Sequence, residues 1–178
     1  VVSVGDGCTV GGVYKGFYEL QKLGLIEKVP KILGVQSSGC EPFVTAAREH
    51  RPLEECEENT IADSIAVGIP RNPLKALRAI ENSKGAWISV PDSEIIEAMS
   101  ELGRNEGIFG EPAATASVAG LKRAIKEGII KKDESVTVII TGNGLKDPNN
   151  AQKAISKPEL MEPNINKLDI YLKEKGVI

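Results

Sequence analysis

The residues of this chain whose types and spacing could do chemistry gather in two glycine-rich stretches. The first is Val4-Gly5-Asp6-Gly7-Cys8-Thr9-Val10-Gly11-Gly12, which follows the β-branched run Val1-Val2-Ser3-Val4 and precedes a helical pattern of Val13, Phe17 and Leu20. A strand that turns through glycines into a helix suits an anion, above all a phosphate. Glycine allows close approach and positive φ, and the unpaired N–H groups of the first helical turn, reinforced by the helix dipole, point at the ligand. The second stretch, Thr141-Gly142-Asn143-Gly144, follows the β-branched run Val136-Thr137-Val138-Ile139-Ile140. Ligands of open parallel sheets gather at the carboxyl ends of the strands. Thr141 would present its hydroxyl there, and the glycines beyond it would permit close approach of a flat ring. A threonine closing a strand can equally be satisfied by a neighbouring backbone group, but a phosphate loop on the same edge favours the ligand role.

Spacing discriminates among phosphates. A P-loop needs Gly-Lys-Ser/Thr after its first glycine and four residues, and no lysine follows these glycines at that position. A dinucleotide fingerprint needs Gly-x-Gly-x-x-Gly, yet the third position is Val10. It also needs an acidic residue at the end of the second strand, where this chain reads Gln36-Ser37-Ser38. A dinucleotide is thus the runner-up. The remaining common case is the single phosphate of a small cofactor such as pyridoxal phosphate.

These loops require strands and helices in alternation, and the pattern supplies them. At 178 residues the chain suits an α/β domain with a substantial core. Strands are expected at 1–5, 31–36, 85–90 and 136–140, and helices at 12–23, 41–49, 73–82, 112–127 and 165–175, with a further helix from Asp92. Asn72 and Asp92 are expected helix caps. The run at 136–140 reads as a central strand buried on both faces. The helix after Pro112 carries a small face, Ala113, Ala116, Ala119 and Gly120, able to lie close to a sheet or a cofactor. Alternation of this kind implies an open parallel sheet flanked by helices. Pro148, Pro158 and Pro163 punctuate the tail.

Hydrophobic residues at 41%, charged residues at 26% and a net charge of -3 are ordinary for a globular protein and argue against nucleic acid. No apolar run approaches the about 20 residues needed to span a bilayer. Cys8, Cys40 and Cys56 lack metal-ligand spacing and read as reduced thiols of a cytoplasmic protein; no metal site is expected. The single histidine, His50, sits in the charged run Arg48-Glu49-His50-Arg51 and reads as solvated. Beginning mid-strand at Val1, the chain reads as part of a longer polypeptide.

Together with Leu33-Gly34-Val35-Gln36, Gly68-Ile69-Pro70-Arg71-Asn72-Pro73 and Glu106-Gly107-Ile108-Phe109-Gly110-Glu111-Pro112-Ala113, the two loops resemble threonine synthase, a fold-type II pyridoxal-phosphate enzyme, in the family's order from residue 1 to about 158. The resemblance implies a cytoplasmic, homodimeric lyase that converts O-phospho-L-homoserine and water into L-threonine and phosphate. By the same resemblance Gly5, Asp6, Gly7, Cys8 and Thr9 hold the cofactor phosphate, and the Thr141 hydroxyl meets the pyridine nitrogen. Many threonine synthases read Gly-Asn-x-Gly-Asn where this chain reads Gly-Asp-Gly-Cys-Thr. Serine or threonine dehydratase, cysteate or cysteine synthase, and a non-catalytic nucleotide-binding module therefore stay open.

An Asp6 carboxylate beside the phosphate would repel it, so Asp6 is expected to contribute its backbone and turn its side chain into a hydrogen bond. Glu111 is expected to serve the helix N-terminus, and Lys146 to be a surface lysine. The Schiff-base lysine of the family lies in a Ser-x-Lys motif upstream of these residues, so no catalytic residue is expected within them. Residues 1–158 then form the C-terminal part of the cofactor-binding large domain and 159–178 a tail helix, the whole depending on an N-terminal half.

Overall fold

The computed structural model describes residues 1–155 and 160–178. Pro158 and the expected boundary between 158 and 159 lie outside the described residues. The fold is α/β: a parallel sheet of β1 (Val2–Ser3), β2 (Leu33–Ser37) and β3 (Ala86–Val90), ordered β1-β2-β3. Val2 stands opposite Gly34, and Leu33 to Ser37 stand opposite Ala86 to Val90. The helices are α1 (Cys8–Lys22), α2 (Pro42–Glu49), α3 (Pro73–Asn82), α4 (Asp92–Glu106), α5 (Pro112–Lys126), α6 (Pro148–Ala151) and α7 (Ile165–Glu174).

Alternation along the strands divides the core between the two faces of the sheet. Leu33, Val35, Ile88 and Val90 pack with Ile95 and Ala98 of α4 and with Ala113, Ala116, Ala119 and Ala124 of α5. On the other face Val2 and Val4 pack with Val10 of α1, Phe43 of α2 and Ala76, Ala79 and Ile80 of α3. Gly34 leaves room there for Trp87, whose ring stacks on Phe43 with centroids 4.9 Å apart. The small face of α5 serves the sheet: a Cβ on Gly120 would strike both methyl groups of Val35.

Three local expectations are corrected. Helix α1 starts at Cys8 rather than near Gly12, because the turn ends at Gly7 and tertiary contacts carry the helix through two glycines of low propensity. Neither Asn72 nor Asp92 caps its helix. Asn72 occupies the cap position of α3 without a side-chain bond, whereas Asp92 is already inside α4. The Asp92 carboxylate instead accepts from Ser37 Oγ at 3.2 Å, Thr60 Oγ1 at 2.6 Å and the Ile61 N–H at 2.9 Å. Lastly, the run at 136–140 is not a central strand. It borders the sheet beside β1, where the Val1 nitrogen donates to the Thr137 carbonyl at 2.8 Å and the Ile139 N–H donates to the Val1 carbonyl at 3.1 Å. A strand buried on both faces needs a layer packed on each; here Val136 is 37% exposed, and residues 138–140 are half-buried.

Two glycines offer opposite outcomes on the same substitution. Gly16 lies in α1 with nothing near its missing side chain, so Gly16→Ala should stabilise the full-length protein by about 1 kcal/mol through helix propensity. Gly120→Ala should destabilise it by about 1–2 kcal/mol, since the clash with the stiff Val35 outweighs that gain. Urea unfolding checks both signs.

Candidate functional site

Chain entry into α1 builds one wall of the site. The Val4 N–H extends the ladder to the Val35 carbonyl at 2.8 Å, after which the chain leaves the sheet. A Cβ on Gly5 would stand 2.9 Å from Ile65 Cα. Gly7 adopts φ 87°, and its Cβ would stand 2.7 Å from Ala76 Cβ, 3.0 Å from the Asn72 carbonyl oxygen and 3.2 Å from Phe43 Cζ. The two glycines thus make room for protein rather than for a ligand. Asp6 fastens the turn: its carboxylate accepts the Arg71 N–H at 3.0 Å and its carbonyl the Asn72 N–H at 3.0 Å. The side chain does turn into a hydrogen bond, but its partner is a distant backbone amide rather than a local turn.

Gly7 is the N-cap residue of α1, and no side chain caps the helix. Its first N–H groups therefore keep their donor capacity. They open on a cleft of about 290 Å³, close to the lower bound of small-molecule sites. Gly5, Asp6, Gly7, Cys8, Thr9 and Thr141, all six residues singled out in the sequence, line this one cleft, together with Ser64, Glu111 and Lys146 among others.

Glu111 and Lys146 are what sequence reasoning assigned elsewhere. Glu111 occupies the N-cap position of α5 but its side chain makes no capping bond. Its carboxylate, 6% exposed, accepts from Lys146 Nζ at 2.9 Å. Lys146 is a surface lysine in that 57% of its side chain is exposed, yet its ammonium also donates to Ser64 Oγ at 3.4 Å. The glycines after Thr141 are explained by the same wall. A Cβ on Gly142 would overlap the Glu111 carboxylate, and one on Gly144 would overlap the Phe109 ring. The Glu111 N–H donates to the Gly142 carbonyl at 3.1 Å and the Gly144 N–H to the Phe109 carbonyl at 2.9 Å, so the two segments run together. A flat ring does lie against Gly144, but it belongs to Phe109. A second cleft of about 300 Å³, lined in part by Asp63 and Asp147, shares Ser64, Glu111, Ala113 and Lys146 with the first, which makes the ion pair part of the partition between them. His50 is exposed, and no cluster of metal-ligating side chains occurs among the described residues.

Removing the cation tests the partition. Lys146→Met should leave the Glu111 carboxylate buried without its partner and lower the stability of the full-length protein by about 1–2 kcal/mol. The cost stays below that of a wholly buried pair because the ammonium is half in water. Adding Glu111→Gln should recover most of the loss, giving a coupling free energy by urea unfolding clearly different from zero. Independent effects would mean that the pair carries no energy.

A family model described as pyridoxal-phosphate dependent enzyme matches residues 1–142. Among curated relatives, the threonine synthase of Methanocaldococcus jannaschii is 43% identical over 178 residues, covering 98% of this chain and 44% of the relative. That of Mycobacterium tuberculosis (strain H37Rv) is 39% identical over 150 residues, 84% of this chain and 40% of the relative. The chain thus spans less than half the length of these relatives. Among solved structures, the processed form of threonine deaminase isoform 2 from Solanum lycopersicum matches with a TM-score of 0.65 and 20% identity, over 86% of this chain and 42% of that one. A fungal L-serine ammonia-lyase from Rhizomucor miehei matches with a TM-score of 0.62 and 20% identity, over 97% and 49%. At such identities the likeness is one of fold, an α/β architecture with a parallel sheet between helices. Four-fifths of the sequence falls under one family description, and on that ground the chain belongs to the pyridoxal-phosphate dependent enzymes.

Proposed function

We propose that this chain supplies the phosphate cradle and the ring partner of a pyridoxal-phosphate lyase of threonine-synthase type, which converts O-phospho-L-homoserine and water into L-threonine and phosphate. The observation that carries the proposal is the single cleft lined by both Gly5 to Thr9 and Thr141. The donor set fits the cofactor's anionic end: the α1 N-terminus has no side-chain cap, and the one carboxylate in the loop already accepts a backbone N–H. When bound, pyridoxal phosphate supplies an electron sink at the carbon bearing the substrate's amino group.

The N–H groups at the start of α1 and the Thr9 hydroxyl donate to the phosphate. Asp6 contributes backbone, its carboxylate accepting the backbone N–H of Arg71. The neutral Thr141 hydroxyl would serve as the ring partner without stabilising a proton on the ring nitrogen as a carboxylate would, which suits eliminations and replacements at the β and γ carbons. Lys146 neutralises Glu111, so the cleft wall next to Thr141 presents no unmatched negative charge. The cofactor-bonding lysine and most of the groups that grip the substrate come from a segment outside these residues, in a cytoplasmic homodimer without membrane or nucleic-acid partners. Residues 1–158 act as part of the cofactor-binding domain.

Supporting this substrate over that of a dehydratase are the threonine synthases, 43% identical for the first named, against 20% for the deaminase and ammonia-lyase structures. The full-length protein, loaded with cofactor, should release phosphate and L-threonine from O-phospho-L-homoserine; a 2-oxo acid from serine or threonine in its place would favour the dehydratase. Residues 1–178 alone, with cofactor and substrate, should release no phosphate. Gly7→Ala, which strains a positive φ and meets Ala76, should weaken cofactor binding at least about tenfold in a fluorescence titration. Thr141→Asp should change the partitioning between replacement and elimination, and unchanged partitioning would count against the ring-partner role.

A further inference from the structure

Away from the phosphate cleft, two cysteines are held face to face. Cys40 Sγ and Cys56 Sγ lie 3.7 Å apart. Cys40 is 1% exposed, just beyond the end of β2, and its N–H donates to the Ser37 carbonyl at 2.9 Å. Cys56 is exposed on the strap that leads to the cleft residues Ser64 and Ile65. Backbone bonds already fix the two carriers. The Asn59 N–H donates to the Gly39 carbonyl at 2.9 Å, the Cys56 N–H to the Gly68 carbonyl at 3.2 Å, and the Gly68 N–H to the Glu58 carboxylate at 2.7 Å. Any Cβ on Gly39 would strike the Asn59 carbonyl, and any on Gly68 the Cys56 carbonyl. A disulfide is about 2.05 Å long, so the two sulfurs, already 3.7 Å apart, have a short gap to close.

We propose that Cys40 and Cys56 form a reversible disulfide, a modification site that small disulfides of the glutathione type reach through Cys56. Exposure decides the order of events. The Cys56 thiolate attacks one sulfur of the small disulfide and expels a small thiolate, leaving a mixed disulfide on Cys56. Cys40 then gives up its proton to that expelled thiolate or to solvent and attacks Cys56 Sγ, expelling the second small thiol. Two protein thiols and one small disulfide become one protein disulfide and two small thiols. The protein loses the two electrons that the reagent gains. Burial, and then the neighbouring Cys56, push the Cys40 thiol up to about 12, so Cys40 is the resolving rather than the attacking partner.

The experiment is peptide mapping of the full-length, cofactor-loaded protein after incubation in mixtures of oxidised and reduced glutathione. The samples are quenched in acid, alkylated and digested without reduction. The expected result is joint loss of the alkylated Cys40 and Cys56 peptides, replaced by one cross-linked species lighter by two hydrogens than the reduced pair. Dithiothreitol should restore both peptides. In Cys40→Ala, Cys56 should keep a glutathione adduct, and in Cys56→Ser, Cys40 should stay unmodified, with circular dichroism confirming that each variant is folded. A stable glutathione adduct on Cys56 of the unsubstituted protein would overturn the proposal. So would both thiols remaining fully alkylated at the most oxidising glutathione ratio. Neither readout involves turnover, so a failed threonine-synthase assignment leaves this test intact.

Discussion

The left-handed turn at Gly7 is the constraint from which the cleft follows. A backbone at φ 87°, pressed on Ala76, Asn72 and Phe43, can be occupied by glycine and little else. Phe43 is in turn seated by a buried amide. Gln36, fully buried in β2, accepts the Phe43 N–H at 2.9 Å and the Val44 N–H at 3.2 Å, and donates to the Val4 carbonyl at 3.3 Å. One side chain therefore satisfies the open N-terminus of α2 and ties it to the strand end from which the phosphate loop departs. The place where a dinucleotide protein would carry a ribose-binding carboxylate is spent here on internal architecture.

Legibility in the sequence followed the range of the forces involved. Helices α2, α3 and α5 were readable because each carries a proline in its first turn, a signal that acts within a few residues. The glycine turn into α1 was readable for the same reason. What escaped was decided by partners far along the chain. The run at 136–140 has the composition of a buried strand, but position in a sheet is fixed by strand order, which composition does not encode. Glu111 and Lys146 are 35 residues apart, and neither carries a local mark of the other. The glycines at 142 and 144 were the available signal: a glycine pair after a strand asks what fills the space, and the answer was a carboxylate and a phenyl ring. Asp92 shows a local rule losing to a distant one, its carboxylate engaged by Ser37, Thr60 and Ile61 in place of its own helix.

The two walls of the cleft differ in kind. One is built of backbone dipoles and the Asp6 carboxylate, which accepts a backbone N–H; the other is a carboxylate already matched by an ammonium. Under the proposed function such a site would hold an anion by geometry rather than by excess positive charge, in a chain whose net charge is -3. Neither wall belongs to a single element. The first needs the segment from Ile65 to Ala76 behind it, the second the pairing of residues 109–111 with 142–144.

The segment beside β1 has one further consequence. Thr137 and Ile139 spend their groups on Val1, whereas the Val138 N–H has no partner among the described residues. An open border rich in valine and isoleucine is a template for any strand that arrives. Polypeptide added on that side would lengthen the sheet and shield it; without such cover, copies of these 178 residues would be drawn into edge-to-edge aggregation.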